Sequence, residues 1–203
     1  TRIVFDKSEK LIKPASCASW FCNFRNCKKI VNPEYLDTSR VTTMCCMFYY
    51  FAYSVTTPIK LNLSTWDMSS VKDMSSMFWK FAYSSKTPPI LDISKWNTSS
   101  VVDMSYMFSY YAYSATVPPK LDVSNWDTSC VKEMKGMFNR YAYETIEPPV
   151  LEISNWDTSF VEDMSLMFRG FAKSATNPPE LDFSKWNTGS VKTMRAMFWV
   201  YAY

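Results

Sequence analysis

Apolar and polar positions along the chain recur with a period of 30 residues. The stretch that begins at Leu121 alternates apolar and polar side chains as Leu-Asp-Val-Ser, reaches a tryptophan, crosses a polar turn and continues to Met-x-x-Met-Phe at 134–138. Its tryptophan recurs at Trp66, Trp96, Trp126, Trp156 and Trp186. Because one unit of this length cannot bury its apolar face alone, the fixed period predicts that successive copies stack on one another.

Each copy divides into the same predicted elements. Leu91 and Ile93 alternate with polar residues, as in a half-buried strand. Asp103 is a suitable N-cap for a helix. The apolar residues that follow it fall at i, i+3, i+4, i+7 and i+8, the amphipathic helical template, and they are Met104, Met107, Phe108, Tyr111 and Ala112. Pro118 and Pro119 then end the helix and favour an extended entry into the next strand.

These elements predict an α/β fold, a leucine-rich-repeat-like solenoid of 30-residue strand–turn–helix repeats with a parallel sheet on one face and helices on the other. The spacing L-x-h-x-x-W is similar to the core spacing of leucine-rich repeats. We expect one continuous domain, in which residues 1–35 form an N-terminal capping coil and residues 36–203 form the repeats, one partial copy and five full ones.

Both ends of the chain carry predicted helices of their own. In the capping coil, four apolar residues share one predicted helical face, and they are Cys17, Trp20, Phe21 and Phe24. Residues 199–203 are predicted to close the last helix. No closing coil follows them, so either the array continues in a longer protein or its open end docks on another copy.

Composition excludes several classes of function. The 203 residues include no histidine and 3 glycines, so the commonest general base, the commonest metal ligand and a glycine-rich phosphate loop are missing. We therefore expect no enzymatic activity and no cofactor. With 22 basic and 19 acidic residues, the net charge is +3, and no basic stripe for nucleic acid is apparent. No apolar run approaches the roughly 20 residues that span a bilayer, so we expect no membrane insertion.

Stacking would turn each position of the repeat into a column. The tryptophan column suits sugar stacking, but Leu36 replaces the tryptophan in the first copy, which favours a packing role. The Met-x-x-Met columns are likewise predicted to be core. The residue after each tryptophan, such as Asp127, should accept a hydrogen bond from the following turn. An acidic column should face solvent, and it is the one weak candidate for a cation such as calcium, at Asp92, Asp122, Glu152 and Asp182.

The repeat resembles a known family. The stretches LDVSNWDTSCVKEMKGMF, LDISKWNTSSVVDMSYMF and LEISNWDTSFVEDMSLMF resemble the BspA-like surface-protein repeat, and the resemblance covers roughly residues 16–203. It implies a secreted or surface-anchored bacterial protein, often linked to adhesion. This chain departs from the family where Tyr-Ala-Tyr follows the Met-Phe pair, as at 111–113, and where a longer loop carries Pro-Pro.

The extracellular location implied by this resemblance favours a capping coil braced by disulfides. Five of the six cysteines lie in the first 46 residues, and these candidates are Cys17, Cys22, Cys27, Cys45 and Cys46. Plain buried thiols are the alternative. Glycosylation is a further possibility with suitable host machinery: Asn62 and Asn97 fit the N-x-S/T pattern, and Thr116 and Thr176 lie in segments that mix hydroxyls with prolines.

We therefore expect a non-enzymatic extracellular or cell-surface protein with a structural or adhesive role, which could assemble end to end into fibres. Its partner would be another copy of itself or a host or cell-surface partner. The alternative is a carbohydrate-binding module, for which a glycan is the ligand. In that case exposed aromatic residues would face the ligand, and the candidates are Trp79, Tyr110, Tyr113 and Trp199.

Overall fold

The computed structural model describes residues 1–6 and 12–201. Its strands are β1 (Arg2–Val4), β2 (Lys29–Val31), β3 (Lys60–Asn62) and β4 (Ile90–Asp92). A 3-10 helix spans Pro33–Tyr35. The strands form two parallel pairs, β1 with β2 and β3 with β4. Leu61 lies opposite Leu91, so the second pair joins equivalent positions of neighbouring copies.

The predicted α/β, leucine-rich-repeat-like solenoid is wrong. Over residues 1–6 and 12–201 there is no α-helix, and the 3-10 helix is the one helical element. No row of helices therefore exists to cover a sheet. The sheets are also small, since each contains two strands of three residues.

The helix predicted in the capping coil is wrong for the same reason. Cys17 and Phe21 are buried, whereas Trp20 and Phe24 are exposed, so the four residues do not share a buried face. Residues 7–11 of the predicted cap, and residues 202–203 of the predicted last helix, lie outside the described residues.

Successive copies nevertheless lie side by side in register. Isolated parallel bridges join the same position of neighbouring copies along the chain, and they are Ser16–Thr43, Thr43–Asp73, Asp73–Asp103, Asp103–Glu133, Glu133–Asp163 and Asp163–Thr193. The 30-residue period of the sequence thus becomes the offset between backbone partners.

A run of turns occupies the place of each predicted helix. In the copy that begins at Leu91 this turn segment covers residues 105–114. Its N–H groups alternate between two acceptors: that of Phe108 donates to the Met137 carbonyl of the next copy at 2.9 Å, whereas that of Met107 donates to the Met104 carbonyl three residues back at 3.2 Å. Every second peptide therefore binds the neighbouring copy, and an α-helix cannot form because its bonds run within one segment.

Left-handed residues make this alternation possible. Tyr106, Tyr110 and Ala112 have φ values of 56°, 58° and 49°, and the equivalent positions of neighbouring copies are left-handed too. Such a φ costs an L-residue roughly 1–2 kcal/mol. Hydrogen bonds to the next copy stabilise the conformation, as between the Tyr106 N–H and the Lys135 carbonyl at 2.7 Å.

The core predicted from the repeat is confirmed. The Met-x-x-Met and Phe columns are fully buried from Met44 to Phe168, and the tryptophans from Trp66 to Trp156 are buried. Each indole N–H from Trp66 to Trp186 donates to a carbonyl of the preceding copy; that of Trp156, for example, lies 3.1 Å from the Val123 oxygen. The tryptophan column is therefore packing, with its polar group satisfied, and it does not present ring faces to a sugar.

The copies are spaced unevenly across their width. Ring centroids of stacked neighbours lie 4.6–4.8 Å apart in the outer tyrosine column, 5.3–5.7 Å apart in the phenylalanine column and 6.2–6.5 Å apart in the tryptophan column. The rings of the tryptophan column are therefore stacked less closely than those of the outer tyrosine column.

Among the described residues, strand pairing stops after β4. A groove of about 920 Å³ opens on the strand side, lined by residues of β3 and β4 and of the equivalent segments that follow, including Val117, Asp122 and Val150. The tyrosines, in contrast, lie on the tight edge of the array.

Candidate functional site: a tyrosine–cation stripe

A stripe of aromatic and basic side chains runs along the tight edge of the array, across the turn segments. We call it the tyrosine–cation stripe, and its residues are Tyr50, Tyr53, Trp79, Lys80, Tyr83, Tyr110, Tyr113, Arg140, Tyr143, Arg169, Lys173 and Trp199. All of them are partly or fully exposed. It is the most extensive surface at which aromatic and charged groups are brought into contact.

The left-handed turns set the position of the inner row of the stripe. Tyr50, Lys80, Tyr110 and Arg140 have φ values of 55°, 54°, 58° and 53°. Each donates its N–H to the next copy, as Lys80 does to the Ser109 carbonyl at 2.9 Å. The backbone thus holds one side chain of each copy directly above the equivalent side chain of the copy before.

The outer row is a stack of four tyrosines. Successive centroids are 4.8 Å apart from Tyr53 to Tyr83, 4.6 Å from Tyr83 to Tyr113 and 4.7 Å from Tyr113 to Tyr143. Their planes are parallel to within 17°. Tyr83 and Tyr113 therefore have a tyrosine on both faces, and only their edges and hydroxyls remain for a ligand.

Cations alternate with aromatics in the inner row. The Lys80 ammonium lies 4.4 Å from the Trp79 ring centroid and 5.0 Å from that of Tyr110, and it donates to the Tyr50 hydroxyl at 3.0 Å. The Arg140 guanidinium lies 5.2 Å from the Tyr110 centroid. Each such contact contributes about 0.5–1 kcal/mol at an exposed site. The contacts order the cations without neutralising them.

The stripe continues toward the end of the chain. The Arg169 guanidinium lies 4.4 Å from the Trp199 ring centroid, and the Lys173 ammonium lies 5.5 Å from the Tyr143 centroid. Trp199 is 57% exposed. The basic charge is therefore distributed along the stripe and not confined to one copy.

No carboxylate neutralises these cations within the part of the chain that the structure describes. The ion pairs there are Lys13–Asp37, Lys86–Glu144 and Lys192–Glu162, and none includes a residue of the stripe. The Glu144 carboxylate helps to raise the pKa of Tyr83, but it forms an ion pair with the Lys86 ammonium at 2.9 Å. The stripe thus presents positive charge that has no ionic partner.

The pKa values of two tyrosines in the outer row, Tyr83 and Tyr113, are raised. Burial raises the pKa of Tyr83 to about 12, and the neighbouring hydroxyls of Tyr113 and Tyr53 add to the effect. Burial and the Tyr143 hydroxyl also raise the pKa of Tyr113, against an opposing effect of Arg140. A protonated phenol both donates and accepts a hydrogen bond, so the outer row offers a line of hydroxyl groups.

The stripe includes the aromatic residues that the sequence had marked as ligand-facing. The ring centroids of Trp79 and Tyr110 are 6.0 Å apart and those of Tyr110 and Tyr113 are 5.7 Å apart, whereas Trp199 contacts Arg169 farther along the stripe. Sequence reasoning missed Tyr53, Tyr83, Tyr143 and all the cations. A signal for the tyrosines was present, since they are spaced by 30 residues, but the helix prediction gave them no common surface.

The acidic column lies on the strand side, away from the stripe. Its carboxylates bind serines of their own copy: Asp122 accepts from the Ser124 N–H at 3.1 Å, and Asp182 from the Ser184 N–H at 2.8 Å. The Ser184 hydrogen bonds lower the pKa of Asp182. Asp92 and Glu152 line the groove. No group of three or more acidic or cysteine residues in residues 1–6 and 12–201 is placed to hold a metal ion.

The residue after each tryptophan behaves as predicted. The side-chain oxygen of Asp67, Asn97, Asp127, Asp157 or Asn187 accepts the N–H of the residue two positions later, at 2.9–3.1 Å. This column stabilises the polar turn.

The cysteines of the capping coil are free thiols in this structure. Cys17 and Cys27 are buried, whereas Cys22, Cys45 and Cys46 are half-buried. Burial raises the pKa of Cys17, and that of Cys46, to about 12. The buried-thiol alternative describes this arrangement, and the oxidised cap stays a prediction.

The candidate glycosylation positions are exposed. Asn62 and Asn97 use their side-chain oxygens to accept from Ser64 and Ser99. Thr116 and Thr176 lie in exposed loops, where each hydroxyl is 3.3 Å from a carbonyl of the preceding copy. Glycosylation at these positions stays a prediction.

Comparison with known families matches almost the whole repeat region. The model of the family described as "Mycoplasma protein of unknown function, DUF285" matches residues 16–139 and again residues 111–202. The chain belongs to this family. The match is consistent with the bacterial surface-repeat family expected from the motifs, and it does not test the leucine-rich-repeat details of the BspA-like resemblance.

No curated protein matches this DUF285 chain significantly, and no solved structure does. In residues 1–6 and 12–201, no helix is long and apolar enough to cross a membrane.

Proposed function

We propose that this DUF285 protein is a non-enzymatic extracellular or cell-surface protein with a structural and adhesive role, and that the tyrosine–cation stripe is its contact surface. The observation that carries the proposal is the stripe itself, a partly exposed row of stacked tyrosines and of cations without an ionic partner among the described residues. Stacking fixes these side chains before a partner arrives, which lowers the entropy cost of binding.

The finer BspA-like assignment belongs to the same proposal. The repeated LDxSxWxTSxVxxMxxMF pattern supports it, as does the match to a bacterial repeat family. A BspA-like protein would act outside the cell, where an exposed stripe can meet a host or cell-surface partner. This location is supported by the resemblance of the motif.

The stripe can be tested with cultured epithelial cells and the purified full chain. We expect saturable binding of the labelled protein, and the double variant Tyr83→Ala/Tyr113→Ala should weaken it about tenfold or more, because central aromatic residues carry most interface energy. The control is Val150→Ala/Phe160→Ala, which truncates two exposed apolar residues outside the stripe. Equal binding by both variants, or no binding by the wild type, would contradict the proposal.

The carbohydrate-binding alternative takes a specific form in this structure. Tyr113 cannot stack a sugar on its ring, because Tyr83 and Tyr143 cover both faces. Trp79 is stacked on Tyr49 at 4.4 Å, and Lys80 lies over its ring. At Tyr113 and Trp79 a glycan would therefore be recognised through hydroxyl groups and cations, and not through exposed ring faces.

The last described copy also supports end-to-end self-association. Met194 and Phe198 are 41% and 46% exposed, although the equivalent residues of inner copies are buried. The N–H groups of Met194 and Phe198 donate to none of the described residues, whereas those of Met164 and Phe168 bond the next copy. We propose that this face packs against a further copy of the repeat, either in a longer array or in another molecule of the protein.

A further inference from the structure

We propose that the tyrosine–cation stripe binds a linear acidic polysaccharide, with the carboxylate or sulfate groups of the polymer on the cations and its hydroxyl groups on the tyrosine hydroxyls. This inference rests on the proposed contact role of the stripe and names the chemical class of the partner.

The charge of the stripe points to an anionic partner. The cations Lys80, Arg140, Arg169 and Lys173 have no carboxylate within ion-pair distance among the described residues. Their aromatic neighbours hold them in place from the side, at 4.4–5.5 Å from the nearest ring centroid. Carboxylate, sulfate and phosphate groups are the natural complements of such ordered cations.

The spacing of the stripe points to a polymer. Lys80 and Arg140 occupy the same position two copies apart, with Tyr110 between them. The copies on this edge are spaced by 4.6–4.8 Å, so a ligand along the edge meets the same pattern repeatedly. A linear chain with acid groups at regular intervals matches this pattern, whereas a folded protein surface has no such period.

The tyrosine row points to a ligand rich in hydroxyl groups. No described residue forms a hydrogen bond with the hydroxyl group of Tyr53, Tyr83, Tyr113 or Tyr143, in contrast to the hydroxyl groups of Tyr50 and Tyr201. Burial raises the pKa of the Tyr83 and Tyr113 hydroxyls, which favours their protonated form. A saccharide offers both donors and acceptors to such a row along its whole length.

The same geometry disfavours single-stranded nucleic acid. Binding of single strands depends on aromatic faces on which bases stack. The faces of Tyr83 and Tyr113 are occupied by other tyrosines at 4.6–4.8 Å. The ring edges remain, and they suit hydroxyl groups better than bases.

The test uses the purified full chain and polymers of matched backbone. The probes are polygalacturonate, its methyl ester, chondroitin sulfate and single-stranded poly(dT), with affinities measured by biolayer interferometry at two salt concentrations. We expect binding to polygalacturonate or chondroitin sulfate that weakens with salt, and no saturable binding to the methyl ester, which keeps the backbone but lacks the charge. Equal binding of the acid and its ester would overturn the proposal, as would a preference for poly(dT).

Two double variants distinguish binding at the stripe from attraction by the overall charge of the protein. Lys80→Gln/Arg140→Gln removes two cations of the stripe and should weaken polysaccharide binding about tenfold or more, because hydrogen bonds to charged groups are the strong ones. Lys60→Gln/Lys120→Gln removes the same charge from the strand side and should leave binding within about twofold. Equal losses of affinity in both variants would show that the polysaccharide is attracted by the net charge of the protein and is not bound at a specific site.

Tyr113→Phe provides a milder second variant that keeps the stack. Loss of one hydroxyl should weaken binding about fivefold, the effect of one neutral hydrogen bond. Unchanged affinity in both Tyr113→Phe and Lys80→Gln/Arg140→Gln would overturn the proposal. Polygalacturonate should also compete with binding to epithelial cells. If cell binding depends on the stripe but resists every acidic polymer, the partner class is wrong and the contact role stands.

Discussion

Met134 and Met194 occupy the same position of two copies, yet their surroundings differ. Met134 is completely buried, whereas Met194 is 41% exposed because no described copy covers it. The cost of truncating a core side chain is the lost transfer energy plus the cavity that remains. The position of a copy in the array therefore decides how much a residue that recurs from copy to copy contributes to stability.

Met134→Ala should lower the free energy of unfolding by about 2–5 kcal/mol. Met194→Ala should change it by less than about 0.5 kcal/mol, because the side chain is already in contact with solvent. Urea denaturation of the two variants measures the difference. Similar losses of unfolding free energy in the two variants would contradict the structure, in which Met134 is buried and Met194 is exposed.

The buried tyrosine column offers a second comparison between equivalent residues. Tyr111 and Tyr141 are completely buried, and neither hydroxyl has a hydrogen-bond partner among the described residues. Tyr201 in the same column donates to the Pro179 carbonyl at 2.6 Å. Phenylalanine fills this position at Phe51 and Phe81, so the ring alone satisfies the packing.

Tyr141→Phe should therefore raise the free energy of unfolding by about 1 kcal/mol, because it removes an unpaired buried hydroxyl. Tyr201→Phe should lower it by about 1 kcal/mol, because it breaks a hydrogen bond. Thermal and urea unfolding of both variants give the signs. A loss of stability in Tyr141→Phe would indicate that its hydroxyl is satisfied.

At the scale of elements, the sequence predicted which residues are buried better than it predicted the backbone conformation. Met104, Met107, Phe108 and Tyr111 are all buried, as the helical template required. An α-helix and this run of turns both place every third or fourth side chain on one side, so the pattern does not distinguish them. The two structures differ in the acceptors of their N–H groups. In this protein, half of the N–H groups in the turn segment donate to carbonyls of a neighbouring copy.

A strand was predicted in every repeat, and that prediction is wrong, because the described repeats have strands only at Lys60–Asn62 and Ile90–Asp92. Leu61 and Leu91 do pair in parallel register. In the described residues beyond β4, the equivalent segments are not paired as strands. Whether neighbouring copies pair there is a tertiary property, which the period of one repeat does not encode.

The candidate site was only partly predictable for a related reason. Tyr110 and Tyr113 were recognised as exposed aromatics, but their alignment with Lys80 and Arg140 depends on left-handed turns. Few L-residues adopt that conformation, and no propensity in the sequence marks Lys80 or Arg140 for it. The unneutralised charge of the stripe emerges only when the carboxylates are located in three dimensions.

At the scale of the whole molecule, hydrogen bonds run between copies in both directions. Met164 donates to the Thr193 carbonyl of the next copy, whereas Ala112 and Ser114 donate to the Phe81 and Tyr83 carbonyls of the preceding copy. The N–H groups of 194–200 at alternate positions donate to no described residue. The proposed end-to-end self-association would give these N–H groups acceptors on another molecule, packed head to tail.

Sedimentation velocity of the full chain tests this packing. We expect species larger than a monomer that grow with concentration, and Met194→Asp/Phe198→Asp should reduce them because it places charges on the apolar end face. Lys60→Gln/Lys120→Gln on the strand side is the control. A single monomeric species at high concentration for the wild type would refute the proposed self-association.

All of these functional statements depend on the turn segments, because left-handed turns are what align the tyrosines and cations. The most direct measurement is nuclear magnetic resonance of the backbone over residues 104–114, from Cα shifts and N–H to Hα couplings. The account predicts positive φ near the values of 58° and 49° at Tyr110 and Ala112, with non-helical shifts between them. A continuous run of α-helical shifts and couplings from Met104 to Ala112 would contradict it.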